Sequence, residues 1–254
     1  MPTQQQKADK FHALHVKGDP IVLFNIWDPG SAKVVAEAGA HALATGSAPV
    51  AMAQNYGDGE QLPLDQALAN AARIAAQTDL PLTLDFEGAY SQQPEGITIN
   101  TLRALETGVI GFNFEDQIVG SDQFYPINEQ ITRVLAMRTA IEESGINAFL
   151  NARTDLFLKS SAEHHADHLN EAIERAEAYE SVGASGFFAP GLTDITLIES
   201  LCSRVNLPVN IIMLPGCPPK DKLSAAGVAR ISYGPVPYRS LMASLGEAAR
   251  SALT

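Results

Sequence analysis

The sequence predicts a (β/α)8 barrel of the TIM type, and three observations carry that expectation. Eight short apolar runs recur along the 254 residues, each followed by an amphipathic helical pattern. The runs are too uniformly apolar to leave one face wet, which marks a parallel sheet covered by helices. Several helical stretches end in Ala-Gly or Val-Gly just before the next run, at Gly39, Gly183 and Gly227, where glycine supplies a left-handed cap. Eight such units in about 250 residues suit a closed barrel. An open doubly wound sheet is the alternative, disfavoured because no GxGxxG follows the first run.

Taken in order, the predicted strands are Ile21–Ile26, Ala42–Thr45, Pro81–Phe86, Val109–Phe114, Ala148–Ala152, Ser185–Ala189, Pro208–Met213 and Val228–Ser232. The helical patterns between them cover Gly30–Ala38, Leu64–Gln77, Ile97–Thr107, Asn128–Ser144, Ala162–Val182, Thr193–Ser203, Pro219–Ala226 and Val236–Ala252. Thr193-Asp194 and Asn128-Glu129 supply N-caps or first-turn acids for their helices. The last helix places Leu241, Met242, Leu245 and Ala248 at helical spacing with little charge around them. No charge block, low-complexity segment or Pro/Gly/Ser-rich linker interrupts the chain, so one domain over residues 1–254 is expected.

Composition narrows the function classes. A formal charge of −12 argues against nucleic acid and anionic membranes as partners. It leaves a small anionic substrate open, because a local cation and an arginine can dominate a pocket. The two cysteines, Cys202 and Cys217, have no CxxC or His/Cys spacing, so neither a disulfide framework nor a zinc site is indicated. No apolar stretch reaches membrane-spanning length, and Met1–Lys10 lacks the apolar core of a signal peptide. Cytoplasmic residence is the simplest reading.

A barrel puts its chemistry at the carboxyl ends of its strands. Those ends carry Asn25 and Asp28, then Thr45, Gly46 and Ser47, then Asp85 and Glu87, Glu115 and Asp116, and Asn151 and Arg153, with Asn210 inside the seventh strand. Asp85, Glu87 and Glu115 would gather at one mouth. Carboxylates crowded in a partly buried site need protons or a cation, and oxygen-only ligands favour a hard ion such as Mg²⁺, with Mn²⁺ possible in its place.

The ordered set resembles the isocitrate lyase/phosphoenolpyruvate mutase superfamily. The matching segments are Asn25-Ile-Trp-Asp28-Pro-Gly-Ser-Ala32, Thr45-Gly-Ser-Ala48, Tyr56-Gly-Asp58-Gly, Leu84-Asp85-Phe-Glu87-Gly-Ala-Tyr90, Gly111-Phe-Asn-Phe-Glu115-Asp116-Gln117, Leu150-Asn-Ala-Arg153-Thr-Asp155, Pro208-Val-Asn210 and Gly227-Val-Ala-Arg-Ile-Ser-Tyr-Gly234. The resemblance implies that Asp85 touches Mg²⁺ directly, with Glu87, Glu115 and Asp58 reaching it directly or through water. It implies that Ser47, the Ala48 N–H, Asp85, Arg153 and Asn210 bind substrate, and that Ser47, Asp58 and Arg153 serve catalysis. It further implies a metal-stabilised enolate as the shared chemistry, and a homo-oligomer, dimer or tetramer, whose subunits exchange their last helix.

Departures bear on the substrate. The segment Gln117-Ile-Val-Gly-Ser-Asp-Gln-Phe-Tyr-Pro126 lacks the cysteine of isocitrate lyases and the lysine of phosphonopyruvate enzymes. Pro49 removes one N–H from the Ser47 turn, and Glu87 is a methylene longer than the aspartate usual there. A Mg²⁺-dependent C–C lyase on a small 2-oxo or 2-hydroxy carboxylate follows, oxaloacetate decarboxylase-like. P–C chemistry on phosphonopyruvate and a non-catalytic 2-oxo-acid-binding protein remain the alternatives. Plainer readings stand beside these: Arg153 and Asp155 as a structural ion pair, Asn210 satisfying backbone, and Tyr56 and Tyr125 as ordinary loop residues. His164, His165 and His168 read as a solvated helix start, and Phe24 and Trp27 as packing residues.

Overall fold

The computed structural model describes residues 2–254 and contains eight parallel strands in a nearly closed barrel with alternating helices. In chain order these are α1 (Gln4–Ala13), β1 (Ile21–Leu23), α2 (Pro29–Glu37), β2 (Leu43–Ala44), α3 (Ser47–Met52), α4 (Leu64–Ala75), β3 (Leu82–Asp85), α5 (Pro94–Leu105) and β4 (Gly111–Glu115). There follow α6 (Ile127–Glu143), β5 (Phe149–Arg153), α7 (His165–Ser181), β6 (Gly186–Phe188), α8 (Ile195–Arg204), β7 (Val209–Ile212), α9 (Lys220–Ala225), β8 (Arg230–Ser232) and α10 (Val236–Leu253). Each strand pairs with its sequence neighbour, β8 returns to β1, and a single parallel bridge between Ile26 and Thr45 joins β1 to β2. All eight predicted strands are present. Gly39, Gly183 and Gly227 have φ of 95°, 93° and 88°, the left-handed caps that the sequence signalled. Asp194 is an N-cap accepting from Thr196 and Leu197 N–H, whereas Asn128 falls inside α6 and only Glu129 acts, as a first-turn acid.

Two helices escaped the sequence reading. The polar segment Gln-Gln-Gln-Lys forms the start of α1, fixed by a capping box in which Thr3 and Gln6 exchange bonds of 2.8 and 3.2 Å. It buries only Ala8 and Phe11, too few to make a periodic stripe, yet Phe11 and His15 close the amino-terminal end of the barrel against Phe149, with ring centroids 5.6 and 4.0 Å away. Burying a side chain such as Phe11 contributes on the order of 1.5–3 kcal/mol. The other, α3, is a six-residue helix that opens at Ser47.

Two packing expectations also change. Phe24 lies exposed beside Tyr233, 5.1 Å between rings, because it faces outward from β1 where no helix of this chain covers it. Of the three histidines at the start of α7, His165 turns inward against Phe157 while His164 stays in solvent. No helix among the described residues is long and apolar enough to cross a membrane.

Candidate functional site

The carboxyl ends of β2 to β5 and the loops after them bring Ser47, Asp58, Asp85, Glu87, Glu115 and Arg153 to one mouth. Two adjoining cavities open there. One, of about 260 Å³, holds Asn25, Ser47, Ala48, Asp58, Asp85 and Arg153 on its walls. The other, of about 390 Å³, adds Glu87, Glu115 and the segment Gln117–Asp122.

Asp85 is the most constrained carboxylate of the set. Ser47 donates to its Oδ2 from backbone N at 2.9 Å and from Oγ at 3.0 Å, and Asn113 Nδ2 lies 3.3 Å from Oδ1. Its own N–H donates to Thr45 Oγ1 at 3.0 Å. Asn113 can present only its amide nitrogen to Asp85, because its oxygen accepts from Arg230 Nη2 at 3.1 Å and Asn151 Nδ2 at 2.9 Å. Arg230 is fully buried on β8, and Asp85 is the one charged group that offsets its burial.

Arg153 is heavily engaged. Its Nε and Nη2 fork holds Asp155 at 2.5 and 2.7 Å, and Nη1 meets Glu115 Oε2 at 2.9 Å and Asp85 Oδ1 at 4.0 Å. Asp155 thus fills the two-pronged edge of the guanidinium. The remaining nitrogen, Nη1, is engaged by Glu115, and Arg153 borders both cavities. Behind this pair, buried Asp116 accepts from Arg175 and Tyr179, both at 3.0 Å, and from Asp155 N–H at 3.2 Å, tying the β4 and β5 ends together.

Burial, and then repulsion from Glu115, Asp58 and Asp85, pushes the Glu87 carboxyl up to about 9. Burial likewise pushes Glu115 up to about 8, although Arg153 acts against it. Crowded, strained carboxylates of this kind are what a divalent ion relieves. Among the described residues no three His, Cys, Asp or Glu side chains already converge as a metal cluster. Mg²⁺ retains several waters and takes only one or two carboxylates directly, so it does not require such a cluster.

A stability effect follows from the raised Glu87 carboxyl. Its folded value lies above its unfolded one, so its contribution is complete in acid and is lost as pH rises through about 9. Glu87→Gln should therefore raise the melting temperature of EDTA-treated protein at pH 8.5 while leaving it nearly unchanged at pH 5. Equal shifts at both pH values would contradict the assignment of a strained carboxyl here.

Asn210 is corrected. It is buried within the barrel, accepts from Ser232 Oγ at 3.2 Å, and lines neither cavity at the mouth. Tyr125 is buried with its ring 4.0 Å beneath the Arg133 guanidinium, and Tyr56 sits half-buried against the cluster of Val50, Ala51 and Leu62.

Sequence reasoning missed Lys159, Arg133 and Glu60. The β4 segment has no lysine of its own, but Lys159 of the β5 loop reaches it and pairs with Asp122 at 3.0 Å on the rim. Arg133 of α6 donates to the carbonyls of Gly88, Ser91 and Gln92 at 3.1, 3.0 and 2.9 Å. Neither stands out in sequence, since both are lone cations on helical or loop segments. Asn113, Asn151 and Arg230 left a usable signal as polar residues inside apolar strand runs.

Comparison with known proteins identifies relatives along nearly the whole chain. A family model described as phosphoenolpyruvate phosphomutase matches residues 11–253. A crystal structure of a Burkholderia cenocepacia protein, named only provisionally as a phosphonomutase, superposes with a TM-score of 0.96 at 40% identity, covering 98% of this chain and 99% of that one. An uncharacterized protein of Mycobacterium tuberculosis is 32% identical over 95% of this chain and 88% of its own length. An oxaloacetate decarboxylase of a Marinomonas species is 24% identical over 93% of this chain and 82% of its own.

Proposed function

We propose that this chain, which belongs to the phosphoenolpyruvate phosphomutase family, is a Mg²⁺-dependent lyase that breaks a C–C bond in a small 2-oxo or 2-hydroxy carboxylate. The observation that carries this reading is the wall of the 260 Å³ cavity. It brings Ser47, Asp58, Asp85 and Arg153 together and includes no His, Lys, Cys or Tyr. A reaction run there needs charge stabilisation more than a protein acid. Decarboxylation of a 2-oxo diacid meets that condition, because CO₂ departs and solvent supplies the proton.

The roles follow from placement. Asp85 would hold the ion, steadied by Ser47 and Asn113. Asp58, Glu87 and Glu115 would hold its waters. When bound, the ion supplies positive charge where electron density develops as the bond breaks. Arg153 lines the same cavity and would bind the substrate carboxylate there, while Asp155 fixes its guanidinium plane. On the far side Phe188, Pro190, Ile212 and Leu214 exclude water from the reacting end. Ser47 spends both of its donors on Asp85, so the reading gives it an orienting role first.

Relatives named as oxaloacetate decarboxylase and 2-methylisocitrate lyase support carboxylate lyase chemistry in general. A panel of 2-oxo and 2-hydroxy acids, assayed with Mg²⁺ and with EDTA, tests the reading. Pyruvate release from oxaloacetate above the Mg²⁺-only blank is the expected result. Phosphate release from phosphonopyruvate would move the assignment to P–C chemistry. Melting shifts with ligands but no turnover would mark a binding protein.

A further inference from the structure

The loop after β3 is held in an unfavourable backbone shape. Glu87, Ala89 and Tyr90 all have positive φ, at 52°, 61° and 54°, and none is glycine. Left-handed residues of this kind cost on the order of 1 kcal/mol or more each and persist only where their surroundings fix them. Backbone that alternates left- and right-handed residues or turns tightly brings its N–H groups to one side, forming a concave anion seat. That seat is filled from within the chain. Glu60, in the loop after α3, places Oε1 2.7 Å from the Tyr90 N–H, and the Gly88 N–H acts on the same carboxylate.

The contact is reciprocal, because the Glu60 N–H donates to Glu87 Oε2. Glu60 is itself left-handed, with φ of 57°, directly after Gly59. Arg133 grips the same loop through three carbonyls, Gly88, Ser91 and Gln92. Gly88 is where the parts meet, since an added Cβ would lie 2.9 Å from Val119 Cγ2 and 3.1 Å from Glu60 Oε1. Asp58 is two residues from Glu60, so whatever fixes Glu60 fixes Asp58 relative to Glu87.

We infer that Glu60 is a positioning residue: its carboxylate, seated on the N–H groups of the β3 loop, locks the Asp58 loop against Glu87 and sets the spacing of the site's acidic rim. The inference rests on the reading that Asp58 and Glu87 hold the ion's waters. It makes a distinction between charge and geometry. Glutamine keeps the carbonyl oxygen that accepts from Tyr90 but removes the negative charge, whereas alanine removes both.

The test compares the full-length wild type, Glu60→Gln and Glu60→Ala. Mn²⁺ binding is read from the free-ion electron paramagnetic resonance signal, and hydrogen exchange is read at the Tyr90 amide in metal-free protein. Glu60→Ala should weaken Mn²⁺ binding at least tenfold and speed Tyr90 exchange at least tenfold. Glu60→Gln should stay within threefold of wild type in both. Equal weakening by Gln and Ala would show that Glu60 acts by charge alone, and overturn the inference. Wild-type Mn²⁺ affinity in the alanine variant would do the same. If wild type itself binds no Mn²⁺, the metal reading fails separately. Tyr90 exchange then decides the loop inference, and an unchanged rate in Glu60→Ala overturns it.

Discussion

Asp85→Ala should abolish metal-dependent turnover, by about a thousandfold or more, while moving the melting temperature of the metal-free protein only slightly. The size of the activity loss follows from the number of groups that converge on this carboxylate. Ser47 N and Oγ, Asn113 Nδ2 and the Arg153 guanidinium are all arranged around it. Removing one preorganised electrostatic group from an active site typically costs a hundred- to a thousandfold. Here the direct ligand for the ion goes as well. Stability responds differently. Asp85 is at the lip of an open cavity, so water can satisfy the Ser47 and Asn113 donors it leaves behind, while buried Arg230 loses the one charge that offsets it. Its removal also relieves repulsion on Glu87 and Glu115, both of which it strains. The check is turnover in saturating Mg²⁺ beside a melting curve in EDTA. Activity within a few-fold of wild type would remove Asp85 from the metal site.

The barrel was legible because its signals are local and repeat eight times. Uniformly apolar runs, Gly-terminated helices and polar residues at strand ends each report one unit, and their agreement reports the whole. The acidic rim was legible for a related reason: Asp85, Glu87 and Glu115 are carboxylates at the ends of neighbouring apolar strands. What stayed hidden is held by contacts between distant loops. Glu60 reads as one acid in a polar turn until the fold seats it under Tyr90. Asp155 looks like a neighbour of Arg153, yet its bidentate hold on the guanidinium depends on the β5 turn that Asp116 pins. Asn210 misled for the opposite reason. A polar residue in an apolar strand signals the barrel interior, but strand register decides whether it reaches the mouth or the layer beneath. The α1 helix was missed because it buries two residues in ten and is fixed by its cap more than by its stripe.

Deleting Tyr238–Thr254 should leave either insoluble protein or a chain that no longer self-associates. The geometry of α10 is the reason. In a (β/α)8 barrel the last helix normally covers the outer wall between the eighth and first strands. Here α10 buries only Pro237, leaving Leu241 and Leu245 exposed by 55% and 58%, with Met242 and Leu253 also in solvent. The wall it would have covered carries an apolar groove of about 630 Å³, bordered by Val22, Phe24, Val34, Val35 and Leu14. An uncovered stripe and an unfilled groove on the same chain are complementary. We propose that α10 of one subunit packs on a second copy, giving a homo-oligomer with an isologous exchange. An 18-residue helix is about 27 Å long, enough to lay its apolar stripe along a barrel wall. Each large apolar side chain so buried contributes on the order of 1.5–3 kcal/mol, and the stability of the subunit becomes tied to association. Light scattering on the intact chain should give a dimer or tetramer, and on any soluble truncated chain a smaller particle with a lowered melting temperature. An intact chain that is monomeric across the concentration range, or a truncated one that stays soluble, active and unchanged in mass class, would refute the exchange.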